Sequence, residues 1–488
     1  MRLQFLSVAL AAIGLIATPA TAGEEKRQAP SAQRPRPNIV MIVADDHGTD
    51  AIGAYGNRTI RTPALDALAK DGVRFERAFG TASSCSPSRA TILTGRQTHS
   101  NGMYGLEQLW HHFSVFDQEL SLPVALENGG YRTARIGKYH IAPESVFRFS
   151  VNLNKGNRAE RGELGRSPVE MADVSRSFIE QDGPFFLYFA TQDPHRSAPH
   201  GQVNKFGNRD DGYARTPTVT YRPEDVVVPP FLPDTPEVRA ELAQYYQSVS
   251  RVDAGVARLI AHLKATGKYD NTLILYLSDN GVAFPGAKTT LYEPGMRLPL
   301  IVKAPAGMRR GEVEKAMVSW VDLTPTVLDF AGVRAPGAKD NGDVEGRSFR
   351  ALVDRSAYTP RQEVYASQTF HEIQMYYPMR VLHEERYKLI WNIAYPLEVR
   401  QAVDLKNSAT WLSIGDKPDA KYGARPVSAL LKRPQYELYD LQADPNESRN
   451  LAEDPAQRER LAAMKAKLIA FLDATGDPWS PNWMGKGE

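Results

Sequence analysis

Apolar positions along this chain follow two rhythms. Short unbroken runs occur at Asn38 to Ala44 (NIVMIVA), Thr133 to Gly137, Pro184 to Ala190 (PFFLYFA) and Asn271 to Ser278 (NTLILYLS). They are rich in β-branched and aromatic residues and show no polar alternation, which predicts strands buried on both faces. Helical spacing fills much of the rest. Thr62-Pro63 reads as N-cap and first residue of a helix, with Leu65 and Leu68 inward and Gly72 as the stop. Thr235-Pro236 opens a longer one, in which Val238, Leu242, Tyr245, Val249, Val252, Val256, Leu259 and Leu263 recur at spacings of four and three. Such a stripe marks a helix laid on a sheet. Strands alternating with helices predict a mainly parallel α/β sheet flanked by helices.

Near residue 365 the rhythm changes. VYASQTF, YPMRVLHEERYKLIWNI and QYELYDLQADPNESRNLA read as hairpin-rich strands, followed by a helix over Pro455 to Ala474. This predicts a main domain over 38–365 and a smaller α+β subdomain over 366–488, an antiparallel sheet plus a helix. No internal repeat is visible.

The first residues change the expected setting. Arg2, an apolar run from Phe5 to Ala17, and Ala20-Thr21-Ala22 have the form of a signal peptide over 1–22. A membrane anchor is disfavoured because the apolar run is short and ends at Pro19. Residues 23–37 are polar and proline-rich and read as a disordered lead-in. The mature chain is expected in the periplasm or outside the cell, where the sequons at Asn57 and Asn446 would matter only in a glycosylating host. Export favours disulfides, yet the sequence has one cysteine, Cys85, so stability must come from a core. Without the leader, 58 basic residues face 57 acidic ones, since Arg2 is one of 59. That balance argues against nucleic-acid and membrane-surface partners but leaves room for a local basic pocket.

Candidate chemistry gathers at the strand ends. The four runs empty into Asp45-Asp46, Lys138-Tyr139-His140, Asp193-Pro194-His195 and Asp279-Asn280-Gly281. Each alone also reads as a turn or a helix cap. Ligands in open parallel sheets bind beyond the carboxyl ends of the strands, and here four such ends agree. Asp45, Asp46, Asp279 and Asn280 offer oxygen donors, which suit Ca²⁺ or Mg²⁺ better than Zn²⁺. Lys138, His140 and His195 would then surround an anion on that cation. Cys85, alone in its chain, also reads as a small buried hydrophobe.

SSCSPSRATILTG around Cys85, with NIVMIVADD, GKYH and SDNG, resembles the signature motifs of the sulfatase family. The likeness covers nearly the whole mature chain. It implies an alkaline-phosphatase-like α/β fold with a C-terminal subdomain. NGMYGLEQLWHHF, DPHR, LYEPG, SWVDLTPTVLDF, YPMR and YELYD are similar to the family's N-sulfoglucosamine sulfohydrolase (sulfamidase) branch. The resemblance implies that a separate maturation enzyme oxidises Cys85 to Cα-formylglycine. One hydroxyl of the aldehyde hydrate would attack sulfur, and deprotonation of the other would expel sulfate as C=O re-forms. It also implies that Asp45, Asp46, Asp279 and Asn280 hold one Ca²⁺ together with residue 85. Arg89 would steady the hydrate, and Lys138 and Lys288 would neutralise sulfate oxygens. His140 would assist the second deprotonation, and His195 would protonate the leaving group. Lys288 departs from the branch, whose members tend to carry Arg there; lysine keeps the charge and loses the bidentate fork. His99, Arg196, His371 and Glu372 are expected to contact substrate, with His111 and His112 at the pocket mouth or on the surface.

The expected function is formylglycine- and Ca²⁺-dependent removal of N-linked sulfate from glucosamine in heparan-type glycans. An O-sulfatase, a phosphomonoester or phosphonate hydrolase, and an unmatured glycan-binding protein are the competing readings. The resemblance leaves room for a homodimer.

Overall fold

The computed structural model describes residues 36–156, 164–197, 205–334 and 344–482. The expected leader and most of the lead-in lie outside them. The described residues fall in one compact unit. Eight strands form the larger sheet: β1 (Asn38–Ala44), β2 (Val73–Phe75), β3 (Arg132–Gly137), β4 (Val151–Asn152), β5 (Phe185–Ala190), β6 (Thr272–Ser278), β7 (Leu300–Lys303) and β8 (Glu312–Glu314). Their order is β4-β3-β5-β1-β6-β7-β2-β8. The run from β4 to β6 is parallel throughout, and β7 is antiparallel to both neighbours.

The unbroken apolar runs follow from burial on both faces. In β1, Ile39, Met41 and Val43 enter one core layer, while Val40, Ile42 and Ala44 enter the other. Register aligns the strand ends: Ala44 pairs with Ser278, Val43 with Ala190 and Gly137 with Ala190. The four polar strand ends therefore share one edge of the sheet.

Helices α1 (Pro63–Lys70), α2 (Cys85–Thr94), α3 (Pro168–Glu180), α4 (Pro236–Ala265) and α5 (Leu323–Ala331) pack around this sheet. All eight residues of the α4 stripe are buried. Each contributes about 1.5–3 kcal/mol relative to exposure. Gly255 lies mid-helix, where alanine would ordinarily be better by about 1 kcal/mol. Here a Cβ would meet the Pro168 Cβ at 2.2 Å, because α3 starts against this point. Gly255→Ala is expected to destabilise the protein by about 1–3 kcal/mol through overpacking. Denaturant unfolding of the pair of proteins checks this, and a stabilised variant would contradict it.

A second sheet takes strands β9 (Glu363–Gln368), β10 (Met379–Glu384), β11 (Tyr387–Asn392) and β12 (Tyr436–Asp440), antiparallel in that order. Two short helices, α6 (Val403–Lys406) and α7 (Ala409–Ile414), precede β12. The last helix, α8 (Arg458–Ala474), covers the sheet with Met464, Leu468 and Leu472 against Leu382, Leu389 and Leu438. No helix of the described residues is long and apolar enough to cross a membrane.

Candidate active site

The end of β1 and the end of β6 run side by side, and the next residues supply the acids. Asp45, Asp46, Asp279 and Asn280 are all fully buried. The Asp46 amide donates to Asp279 Oδ1 at 3.1 Å, which fixes the two turns together. Helix α2 enters this cluster by its first residue. Cys85 Sγ lies 3.5 Å from Asp45 Oδ1 and 3.5 Å from Asn280 Nδ2. The helix N-terminus adds partial positive charge at that point.

Cations close the other sides. Arg89, one turn along α2, donates from Nε to Asp279 Oδ2 at 2.8 Å and lies 3.7 Å from Asp45. Lys138 Nζ reaches Asp45 Oδ2 at 2.6 Å. It can do so because Gly137 turns the chain at φ +82°, where a Cβ would stand 2.0 Å from the Ala190 carbonyl. Lys288 Nζ uses all three of its donors, on Asp46 Oδ2 at 2.9 Å, His195 Nε2 at 2.9 Å and Asp404 Oδ2 at 2.8 Å. Strain gathers here as well. Asp46, His140 and Thr289 are non-glycine residues with φ between 60° and 66°. Such conformations persist only where the surroundings over-determine them.

The two histidines are oriented differently. His195 Nδ1 donates to the Arg196 carbonyl at 2.5 Å, which turns Nε2 toward Lys288. Its loop is braced by Asp193, which pairs with Arg166 at 2.9 Å and Arg251 at 2.8 Å. His140 Nε2 meets Gln108 Oε1, and its Nδ1 is buried without a partner. A cavity of about 440 Å³ opens over this group, lined by Gln108, Lys138, Tyr139, His140, Gln192 and His195 among others.

Electrostatics describe a site that holds charge. Burial pushes Asp46 up to about 8 against Lys288, with Asp45 and Asp279 adding to the rise. Asp279 is pushed up to about 6 by burial, with Arg89 opposing and Asp45 reinforcing. Burial also raises Asp45, but Lys138, His195, Arg89 and Lys288 together hold it well below the ordinary carboxylate range. Burial pushes the Cys85 thiol well up, so the thiolate is disfavoured. His195 falls to about 3 through burial and Lys288.

Three crowded carboxylates fit a divalent cation. Atoms of Asp45, Cys85 and Asp279 lie within 4.8 Å of one another, as do atoms of Asp46, Cys85 and His195. Asp46 Oδ1 and Asn280 Oδ1 are buried oxygens without a partner. A buried acceptor without a donor is costly unless something positive faces it. Oxygen donors of this kind suit Ca²⁺ or Mg²⁺.

The expected substrate contacts are dispersed. His371 Nδ1 shares a hydrogen bond with Ser84 Oγ at 2.8 Å, one residue before Cys85, and lines a second cavity of about 350 Å³. Glu372 Oε1 instead accepts the Val403 amide at 2.9 Å. Arg196 is buried in a bidentate pair with Glu241 at 2.5 and 3.0 Å, its guanidinium against the rings of Phe206 and Phe284. His99 lies against the C-terminal segment, with Nε2 2.9 Å from Thr475 Oγ1 and Nδ1 3.3 Å from Asp477. His111 Nδ1 accepts the Ile373 amide at 3.1 Å. Sequence reasoning singled out neither Gln108 nor Asp404. Gln108 lies within NGMYGLEQLWHHF, where only the histidines drew attention, and Asp404 lies outside any motif, 116 positions from Lys288.

Comparison with known proteins agrees with this geometry. A family model described as Sulfatase matches residues 37–333. One described as N-sulphoglucosamine sulphohydrolase, C-terminal, matches 286–414. The chain is 39% identical to the human protein N-sulphoglucosamine sulphohydrolase, covering 91% of each. It is 25% identical to N-acetylglucosamine-6-O-sulfatase of Bacteroides thetaiotaomicron, covering 92% of this chain and 87% of that one. The fold matches a solved structure of a protein in complex with its substrate D-glucosamine-2-N,6-O-disulfate, at TM-score 0.64 and 20% identity over 92% of this chain and 99% of that one. With its metal-type acid cluster facing the signature cysteine, and with matches spanning most of its length, the chain belongs to the sulfatase family and is a sulfuric ester or sulfamate hydrolase.

Proposed function

We propose that this protein removes the N-linked sulfate from glucosamine residues of heparan-type glycans, after maturation of Cys85 to formylglycine and with one bound Ca²⁺. The observation that supports the chemistry is Cys85 itself, held 3.5 Å from Asp45 and Asn280 with Arg89, Lys138 and Lys288 around it. The 39% identity to the human sulfohydrolase supports the substrate. The net reaction is R–NH–SO₃⁻ + H₂O → R–NH₃⁺ + SO₄²⁻.

The formylglycine hydrate supplies a nucleophilic oxygen and a second hydroxyl whose deprotonation releases sulfate. Asp45, Asp46, Asp279 and Asn280 would hold the Ca²⁺, which polarises sulfate oxygens. Lys138 and Lys288 bind and orient the anion. Arg89 holds Asp45 and Asp279 in place and steadies the hydrate. His140 takes a proton at its ring, with Gln108 fixing the ring's direction. His195 Nε2 accepts from Lys288 and is held neutral in the substrate-free site; it would take up a proton when the anionic sulfamate binds beside it and pass that proton to the leaving nitrogen, its other nitrogen being committed to the Arg196 carbonyl. We place the reaction outside the cytoplasm, in keeping with the leader read at residues 1–22, and its maturation on a separate oxidising enzyme.

O-sulfate hydrolysis is the second reading, favoured by the likeness to an N-acetylglucosamine-6-O-sulfatase. Sulfate release from glucosamine carrying an N-sulfo or a 6-O-sulfo group separates the two. Release from the 6-O-sulfo sugar alone would sink the N-sulfate reading. The leaving group gives a sharper test, because an unprotonated amide anion is far worse than an alkoxide. General acid catalysis contributes about 10²–10⁴-fold, so His195→Ala is expected to lower kcat on N-sulfoglucosamine by at least about 10²-fold. The loss should be much smaller on an activated aryl sulfate, whose phenolate departs unaided. Equal losses would deny His195 the acid role.

A further inference from the structure

Asp404 is a carboxylate set beside Lys288 and His195 of the candidate site. Its side chain is 16% exposed, its Oδ2 is 2.8 Å from Lys288 Nζ and 3.6 Å from His195 Nε2, and it comes from the second-sheet segment rather than from a strand end. A negative group beside bound sulfate weakens binding unless it serves something else. Asp404 is a counter-charge of Lys288, but Asp46 also lies 2.9 Å from the same ammonium, so the lysine keeps a carboxylate neighbour without it.

Its placement is preorganised from both sides. Glu372 accepts the Val403 amide at 2.9 Å, fixing the start of α6. Glu241, held by Arg196, accepts the Ala409 and Thr410 amides at 3.0 and 3.1 Å, fixing the start of α7. The carboxylate needs no rearrangement to meet a ligand.

The leaving atom must lie within hydrogen-bond reach of His195 Nε2. An atom about 2.9 Å from that nitrogen can also lie about 2.9 Å from Asp404 Oδ2, because the two are closer to each other than twice that reach. A sulfamate nitrogen carries a hydrogen there. The bridging oxygen of a sulfate ester carries only lone pairs, which a carboxylate repels. We propose that Asp404 is a specificity-determining residue, accepting the N–H of the bound sulfamate and then the ammonium of the leaving glucosamine, so that nitrogen-linked sulfate is preferred over oxygen-linked sulfate. The preference combines an attraction for one substrate with a repulsion for the other. This inference rests on the N-sulfate reading above.

The test uses matured, Ca²⁺-loaded wild type, Asp404→Asn and Asp404→Ala. Glucosamine is expected to inhibit both variants at least about tenfold more weakly than wild type, the size of one charge-assisted hydrogen bond. Inorganic sulfate should inhibit both variants at least as strongly as wild type, because each loses a negative charge beside the anion; weaker inhibition by sulfate would mean a damaged anion site and overturns the inference. The ratio of kcat/KM on N-sulfoglucosamine to that on an aryl sulfate should fall at least about tenfold, for the same reason. Unchanged glucosamine inhibition, or an unchanged ratio, overturns the inference. So does loss of aryl sulfate turnover in both variants, which would make Asp404 a structural support. Wild type that hydrolyses only 6-O-sulfoglucosamine fails the N-sulfate reading instead, whatever the variants do.

Discussion

Cys85→Ala is expected to lower turnover by at least about 10⁴-fold, since residues that carry the covalent step cost the most when removed. The residue is fully enclosed, at the first position of a helix buried along its whole length. Its thiol is a poor nucleophile as it stands, because burial, reinforced by Asp45 and Asp279, keeps it protonated. Under the proposed function, activity is expected to depend on oxidation of the side chain. Protein coproduced with a maturation enzyme should yield a peptide spanning residue 85 whose mass reflects exchange of H₂S for O, and that peptide should react with hydrazides. Cys85→Ser should be inactive or become trapped as a sulfate ester, because serine can attack but has no second hydroxyl to expel sulfate. Fully active protein with an unmodified thiol would remove the mechanism.

Metal removal should be as severe. Asp45, Asp46 and Asp279 crowd into one buried volume with two oxygens lacking partners, and burial with mutual repulsion raises Asp46 to about 8 and Asp279 to about 6. A divalent cation relieves that repulsion. Exhaustive chelation is expected to abolish turnover, and Ca²⁺ to restore it. Folding gives an independent readout, since a ligand at about 100 times its Kd adds about 2.7 kcal/mol of stability. The melting temperature should rise with Ca²⁺ in wild type and fail to rise in Asp45→Asn. Asp279→Ala should lose both activity and stability, because Arg89 would keep a buried charge without its 2.8 Å partner; breaking such a pair costs about 3–5 kcal/mol. Full activity after chelation would contradict the metal assignment, and a Zn²⁺ requirement would mean the donor set acts differently.

Much of the site is written locally in the chain. Asp45-Asp46 and Asp279-Asn280 follow apolar strands without a gap, so a reader who finds β1 and β6 also finds the acids. The same holds for Lys138 directly after β3, and His195 follows in the loop beyond β5. Parallel register then does the rest, because strands entering one sheet in the same direction must release their C-terminal residues at one edge. The α4 stripe was equally legible, since helical spacing is a property of neighbours in sequence. The reason for Gly255 was not, because it lies in Pro168, which reaches it only when α3 and α4 pack.

What the tertiary structure decided are the contacts between distant segments. Arg196 and His195 are adjacent in sequence, yet Arg196 turns to Glu241 and two phenyl rings while His195 faces Lys288. His99 follows the signature helix closely but packs on the C-terminal segment. Asp404, in a stretch with no motif, arrives beside Lys288 because Glu372 and Glu241 pin its short helices there. Periodicity and motif spacing report what a residue does within a few turns of its own chain. The side chain that meets another 116 positions away is chosen by how two sheets pack, and that information exists only once both have folded.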